Sequence, residues 1–317
     1  VKHGKPKQAL ALYHKMPKED SLHLNVYTFV ALINACAKLK DLEQGLCLHA
    51  EVDKFGWINR DPFIGSSLVY MYAKCGSLDK AQDVFDTLDS RDVVSWNALI
   101  TGYSQQGKWG DITIKWFEQM KQQGFSPNVV TFISALKACS CSCSCSSSNT
   151  DTEIGEKGKE LHACFASTGL LQENVLVGTT LVDMYAKCGF VSRAQEMFDK
   201  LVVRDVISWK ALISGYAKHG LNYEVFGCFK RMHEEGLTPD AVTFVSIMKA
   251  CGSLGSSEKA EEIHAEVRKH GLLGKHIMIC NALVDMHAKC GSLAKAREVF
   301  DDLPVRDIFS WNALISG

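Results

Sequence analysis

Two short runs set a histidine and a glutamate two residues apart, His49-Ala50-Glu51 and His264-Ala265-Glu266. That spacing is the first half of the pattern by which zinc deaminases place a metal ligand and a general acid/base. The second half, Pro-Cys-x-x-Cys, occurs nowhere in the chain. Both histidines share one position of a repeating pattern with His162, which is how packing residues behave. A second candidate is Cys139, Cys141, Cys143 and Cys145, four thiols at alternate positions that could offer soft ligands. Zinc sites, however, space paired cysteines by two or more residues. The Ser/Cys-rich tract through Asn149 reads instead as a flexible surface loop with reduced thiols. Trp96, Trp209 and Trp311 could stack on bases, but each heads an apolar stripe and is expected in the core. No Gly-rich phosphate loop, nucleophile elbow or paired-carboxylate constellation stands out. The expectation is therefore no catalytic residue, no metal ligand and no cofactor.

The elements that carry these residues repeat. Met71-Tyr72-Ala73-Lys74-Cys75-Gly76 returns at Met184–Gly189, and with one change, His287 for tyrosine, at Met286–Gly291. The second and third copies are 102 residues apart, the first and second 113. Ser-Trp followed by Asn or Lys and then Ala-Leu-Ile recurs at Trp96, Trp209 and Trp311 with the same spacings. Of the 13 cysteines, Cys36, Cys139 and Cys251 fall at one repeat position, and Cys75, Cys188 and Cys290 at another. Position-locked cysteines read as small apolar packing residues near the end of a helix.

The long period subdivides. In 206–240, Trp209, Leu212, Ile213 and Tyr216 form one helical stripe. Gly220 then stops the helix as a left-handed residue would. A second stripe follows at Val225, Phe226, Phe229 and Met232, ended by Gly236 and Pro239. Such a helical hairpin cannot bury its stripes alone, so neighbours must stack. The template fits eight times. Residues 26–61, 129–174 and 241–276 form long repeats, the second with an insertion. Residues 62–92, 175–205 and 277–307 form short repeats, and 93–128 and 206–240 standard ones. Residues 1–25 and 308–317 read as partial repeats, so the chain reads as a piece of a longer array. The predicted fold is an all-α solenoid of tandem helix–turn–helix repeats.

Composition agrees. Hydrophobic residues make up 46% and only 6 of 317 residues are proline, which suits a packed helical chain and excludes collagen-like classes. No apolar run approaches 18 residues, so no membrane span is expected. A net charge of −1 argues against indiscriminate polyanion binding, which needs an excess of Lys and Arg, but not against charge sorted onto one face.

These residues resemble the pentatricopeptide repeat family, specifically its plant branch in which standard, long and short repeats alternate. The resemblance rests on Val93–Tyr103, on the Tyr-Ala-Lys-Cys-Gly runs, on Arg91-Asp92, Arg204-Asp205 and Arg306-Asp307, and on the Leu- or Ile-His-Ala of the long repeats. It implies a right-handed superhelix that binds single-stranded RNA, one base per repeat. The fifth and last residues of a repeat read the base and the second packs on its face. Carried over, the reading pairs are Ser66/Asp92, Asn97/Asn128, Thr179/Asp205, Lys210/Asp240 and Asn281/Asp307. The packing residues are Val94, Leu176, Ile207 and Met278, with Val130 and Val242 in the long repeats. A carboxylate only accepts, which suits the imino N–H of guanine or uracil, while an Asn amide can donate to adenine or cytosine. The family's pattern pairs Ser or Thr with purines and Asn with pyrimidines. The implied target is N-G-Y-N-G-N-N-U. Val30, Ile133 and Val245 cannot bond a base, and Lys210 departs from the pattern and could meet phosphate instead. The resemblance further implies organellar RNA processing in mitochondrion or chloroplast, specifying a cytidine for editing, with editing cofactors or a deaminase supplied in trans or beyond this chain. The competing reading is a protein-binding scaffold of the tetratricopeptide kind, whose hairpins hold a uniform 34 residues.

Overall fold

The computed structural model describes residues 5–16, 24–58, 60–107, 110–145, 150–168, 174–273, 276–303 and 305–316, with side chains described outside 143–145 and 150–153. Among them are eighteen α-helices and no strand. None is long and apolar enough to cross a membrane. After α1 (Pro6–Lys15) come eight hairpins: α2/α3 (Val26–Leu39, Leu42–Lys54), α4/α5 (Pro62–Lys74, Leu78–Thr87), α6/α7 (Val93–Gln105, Gly110–Gln122), α8/α9 (Val129–Cys145, Thr150–Ser167), α10/α11 (Val175–Lys187, Val191–Asp199), α12/α13 (Val206–Lys218, Asn222–Glu234), α14/α15 (Ala241–Leu254, Ser257–Lys269) and α16/α17 (Ile277–Lys289, Leu293–Asp301). A last helix, α18, spans Ile308–Ser316. The fold is all-α, of the solenoid class.

Two compact bodies can be distinguished, residues 1–150 with 159–165, and residues 151–158 with 166–317. In the first, α2, α4, α6 and α8 pack successively on one another, and α2, α4 and α6 each on their own second helix. In the second, α10, α12, α14, α16 and α18 form the same kind of stack. The stripes explain it. Trp209, Leu212, Ile213 and Tyr216 are all buried, as are Val225 and Met232, with Phe226 and Phe229 half-buried between neighbours. Each burial of such a side chain contributes roughly 1.5–3 kcal/mol. First helices approach closely because Gly102 faces Ala73 and Gly215 faces Ala186. Gly220 has φ +72°, the left-handed conformation its place after α12 demands.

Three expectations need correction. The Ser/Cys tract is not a loop as far as Cys145. Helix α8 runs through it for 17 residues where α2 and α14 have 14, and α9 has 18 where α3 and α15 have 13. The insertion thus lengthens both helices, because alternating Ser and Cys contains no residue that breaks a helix. Residues 146–149 lie outside the described residues. Cys36, Cys139 and Cys251 are fully buried, but Cys75 and Cys290 are only half-buried C-cap residues, and Cys188 is disulfide-bonded. Trp96 and Trp209 are fully buried, whereas Trp311, edge-on to Phe300 at 4.6 Å on the final helix, stays 49% exposed.

Candidate nucleic-acid interface

The first helices begin at Val26, Pro62, Val93, Val129, Val175, Val206, Ala241, Ile277 and Ile308. The residue just before each start carries the local chemistry. Asp92 accepts the Ser95 amide through Oδ1 at 2.7 Å, and Ser95 Oγ accepts the Asp92 amide at 3.1 Å, a complete capping box. Asp205 and Ser208 form the same box at 2.8 and 3.0 Å. Asp307 and Ser310 do so at 2.8 and 2.9 Å. Asn25 with Thr28, Asn128 with Thr131, Asp240 with Thr243, Asp61 with Phe63 and Asn174 with Val177 supply the remaining side-chain caps. His276, before α16, gives none. A helix leaves its first amides without partners, and a capping Asp or Asn contributes about 1 kcal/mol there. Sequence reading assigned these residues to base edges and missed this second duty, although Asp followed three residues later by Ser is itself a cap signal.

The fifth residue of several hairpins reaches the same capping group. Ser66 Oγ donates to Asp92 Oδ1 at 3.0 Å. Asn97 Nδ2 donates to Asn128 Oδ1 at 3.2 Å, and Asn97 Oδ1 accepts from Thr131 Oγ1 at 2.5 Å. Lys210 Nζ lies 3.1 Å from Asp240 Oδ2. Asn281 Nδ2 is 3.1 and 3.3 Å from the two Asp307 oxygens. Thr179 is buried and makes no hydrogen bond to Asp205. So four of the five sequence-derived pairs meet. Lys210 is ion-paired and does not stand free for phosphate. In the long repeats, Ile133 is buried and Val30 and Val245 are half-buried.

Backbone amides can only donate, so each cap fixes which atom of the side chain faces the helix. Oδ1 of Asp92 and Oδ1 of Asp205 are committed, and Oδ2 of each has no partner among the described residues. Asn128 Oδ1 accepts the Val130 and Thr131 amides, which leaves its Nδ2 as an unused donor. Electrostatics follow the bonds. Burial alone would push the Asp240 carboxyl up, but hydrogen bonds from Thr243 and then Lys210 outweigh it and hold it below the ordinary carboxylate value. The Ser310 amide, helped by Asn281, lowers Asp307 against a smaller opposing effect of burial.

Beside each such group stands an exposed apolar second residue: Val94 (60%), Leu176 (55%), Ile207 (56%) and Met278 (52%), with Val130 and Val242 in the long repeats. Tyr27, Phe63 and Phe309 occupy the same position and are equally bare, and the sequence reading had passed over them. Within the first body, Val94, Asn97 and Val130 line a cleft of about 370 Å³ with Tyr70, Lys74 and Thr101. It is flanked by apolar side chains and has the Asn97 amide at its wall.

The histidine–glutamate runs do not form a catalytic pair. His49 Nδ1 meets the Tyr72 hydroxyl at 2.7 Å while Glu51 accepts from Tyr13. His264 Nδ1 meets His287 Nε2 at 3.0 Å while Glu266 faces His233 and His270. Residues two apart on a helix point to different sides, and these do.

Comparison with known proteins decides the family. The PPR repeat model matches residues 1–21, 27–57, 66–93, 179–206, 242–272 and 278–308, and the PPR repeat family model matches 91–141 and 204–253. The chain belongs to the pentatricopeptide repeat family. A chloroplastic pentatricopeptide repeat-containing protein of Arabidopsis thaliana is 35% identical over all of this chain and 49% of its own length. A mitochondrial one from the same plant is 34% identical over all of this chain and 44% of its length. The chain therefore spans about half the length of the curated pentatricopeptide relatives it matches. Among solved structures, the pentatricopeptide repeat protein PPR10 in complex with an 18-nt psaJ RNA element superposes with a TM-score of 0.69 at 18% identity, covering 99% of this chain and 50% of that one. PPR10 from maize gives 0.61 over 99% and 44%. At that identity the likeness establishes the pentatricopeptide fold.

Proposed function

We infer that this chain binds extended single-stranded RNA, one base per hairpin, by lodging each base against an exposed second residue and reading its edge with the fifth and last residues. The observation that carries this is the pairing of Ser66 with Asp92, Asn97 with Asn128 and Asn281 with Asp307 beside bare apolar side chains. In Asp92 and Asn128 the polar group is tied at one atom and open at the other, preorganised for an external partner. The open Oδ2 of Asp92 and of Asp205 suits an imino N–H, so Ser66/Asp92 and Thr179/Asp205 select G. The open Nδ2 of Asn128 suits a ring nitrogen acceptor, so Asn97/Asn128 selects a pyrimidine, cytosine foremost. Asn281/Asp307 selects U. The long repeats, with Val30, Ile133 and Val245, discriminate little. Val94, Leu176, Ile207 and Met278 supply the packing faces.

The RNA named in the PPR10 complex and the organellar names of the relatives support a role in RNA processing in a mitochondrion or chloroplast. Within that role the array marks a cytidine for C-to-U editing, and the deaminase acts from elsewhere. The test is binding of N-G-Y-N-G-N-N-U against single-base variants at a fixed, stated salt concentration. Loss of affinity confined to the second, third, fifth and eighth bases supports the reading. Equal affinity for every variant removes the base-reading claim.

A further inference from the structure

We propose that His233, Glu266 and His270 form a divalent-metal site of the zinc class that ties α13 to α15 in the second body. His233 lies in α13, Glu266 in α15, and His270 caps α15 one helical turn beyond Glu266. One ligand atom from each lies within 4.8 Å of the others. Glu266 Oε2 is 3.5 Å from His233 Nε2 and 3.4 Å from His270 Nε2. Zinc bonds near 2.0–2.1 Å in a tetrahedron separate neighbouring ligand atoms by about 3.4 Å. Both distances match that edge. They are long for the alternative, a carboxylate receiving charged imidazole N–H groups, which closes to about 2.7–2.9 Å.

Polar satisfaction points the same way. Glu266 Oε2 and His270 Nε2 are buried and have no hydrogen-bond partner. Two converging atoms left unsatisfied together are an arrangement that proteins avoid, and one cation satisfies both. Lys269 occupies the other oxygen, Oε1, at 3.3 Å, so the carboxylate would bind through Oε2 alone. Phe229 packs edge-on against His233 at 5.3 Å, and Phe244 lies 5.9 Å from His270, so both rings are braced. Two imidazoles and a carboxylate suit zinc or a neighbouring first-row ion, with water as the fourth ligand.

The triad does not recur. The positions equivalent to His233, Glu266 and His270 in the third and fourth hairpins are Lys121, Cys164 and Thr168, and there Lys121 Nζ lies 3.6 Å from Cys164 Sγ. Residues that serve packing repeat with the array, whereas this set belongs to one junction. The site lies on second helices, apart from the starts of the first helices, so it stands or falls independently of RNA binding.

The experiment loads the purified, metal-stripped chain with zinc or cobalt(II). Competition against a chromophoric chelator should give one equivalent of zinc, bound at least tenfold more weakly in His233→Ala and in His270→Ala. Cobalt(II) in the unsubstituted chain should show d–d bands without thiolate charge transfer in the near ultraviolet, which separates this site from the cysteines and needs no variant. Far-UV circular dichroism checks that the variants fold. Unchanged affinity in both variants, a thiolate cobalt spectrum alone, or no binding at micromolar free zinc would each overturn the proposal and leave an ordinary ion pair.

Discussion

Ser66 and Asp92 meet on a single oxygen: Asp92 Oδ1 receives the Ser66 hydroxyl at 3.0 Å and the Ser95 amide at 2.7 Å. The cap and the contact with the fifth residue thus share one atom, and Oδ2 is left over. Asp92→Asn should separate stability from recognition. The amide carbonyl keeps the cap, so stability should move by less than about 0.5 kcal/mol. The leftover atom changes from acceptor to donor, so the preferred RNA base opposite this repeat should pass from G to A. One hydrogen bond gained and one lost shifts the ratio about tenfold. Binding of paired G and A oligonucleotides alongside a thermal melt checks it. A retained G preference with an intact melt would count against the assignment.

Lys210 sits where Asn97 and Asn281 sit in their repeats, and it closes the outer oxygen of Asp240 with an ion pair. Lys210→Asn should replace that ion pair with the amide contact Asn281 makes to Asp307, and confer a U preference on a repeat that otherwise has little. Because the pair is partly solvated, stability should change by less than about 1 kcal/mol. Selectivity among the four bases at the matching RNA position is the measurement, and a repeat that stays indifferent contradicts it.

Asn281→Thr tests the opposite direction. Asn281 Nδ2 contacts both oxygens of Asp307, and a threonine hydroxyl would leave one of them open. The preference should move from U toward G by about tenfold. If U stays preferred in a folded variant, the fifth residue does not set the base.

Much of this was legible in the sequence for a physical reason. Helical stripes such as Trp209–Tyr216 and stops such as Gly220 are local patterns, and local patterns survive folding. What escaped notice depended on contacts between distant residues. Nothing near Lys210 signals that Asp240, 30 residues on, captures its ammonium. Nothing near Glu266 signals that His233 comes to it from another hairpin while His264, its neighbour in sequence, turns to His287. The Ser/Cys tract misled because its composition is that of a loop, yet helix formation continues through any residues that do not oppose it.

Close helix approach gives a prediction about the fold. A Cβ at Gly215 would stand 2.3 Å from Ala186 Cβ and 3.1 Å from its Cα, neither of which can swing away. Gly215→Ala should therefore cost about 1–3 kcal/mol from overpacking, despite the roughly 1 kcal/mol gained in helix propensity. Gly227, in α13 with nothing within 4 Å of its Cβ position, is the control, and Gly227→Ala should stabilise. Chemical denaturation of both variants decides, and equal effects would refute the close approach.

His287 sets an acid limit. Burial, then the positive charges of His264 and Lys295, push its imidazole down to about 4, against a weaker opposing pull from Glu261. His264, facing Arg268, Glu298, Lys295 and Glu261, is lowered in the same way, first by burial. The folded state therefore favours neutral imidazole. The stabilisation is complete above the ordinary value near 6.5 and is lost as pH falls from there toward 4, at about 1.4 kcal/mol per pH unit for one proton. His287→Tyr would recreate the pair made by His49 and Tyr72, which meet at 2.7 Å, and should flatten the slope. Melting in metal-free buffer from pH 7.5 to 4.5 measures it, and parallel curves for the two chains would exclude His287 as the cause.

The capping boxes also partition motion along the chain. Before α6, α8, α12 and α18, a Ser or Thr hydroxyl bonds back to the cap's own amide, at Ser95, Thr131, Ser208 and Ser310. Before α4, α10 and α16 the third helical residue is Ile64, Val177 or Ile279, which has no hydroxyl to return the bond. Joints that follow the short and standard repeats are mostly latched from both sides, and joints that follow the long repeats from one side or neither. Backbone amides at Phe63–Gly65, Val175–Gly178 and Ile277–Cys280 should therefore exchange with solvent first. The array would breathe at every third joint, where the helices that carry Ser66, Thr179 and Asn281 begin, while the capping residues Asp92, Asp205 and Asp307 are held still.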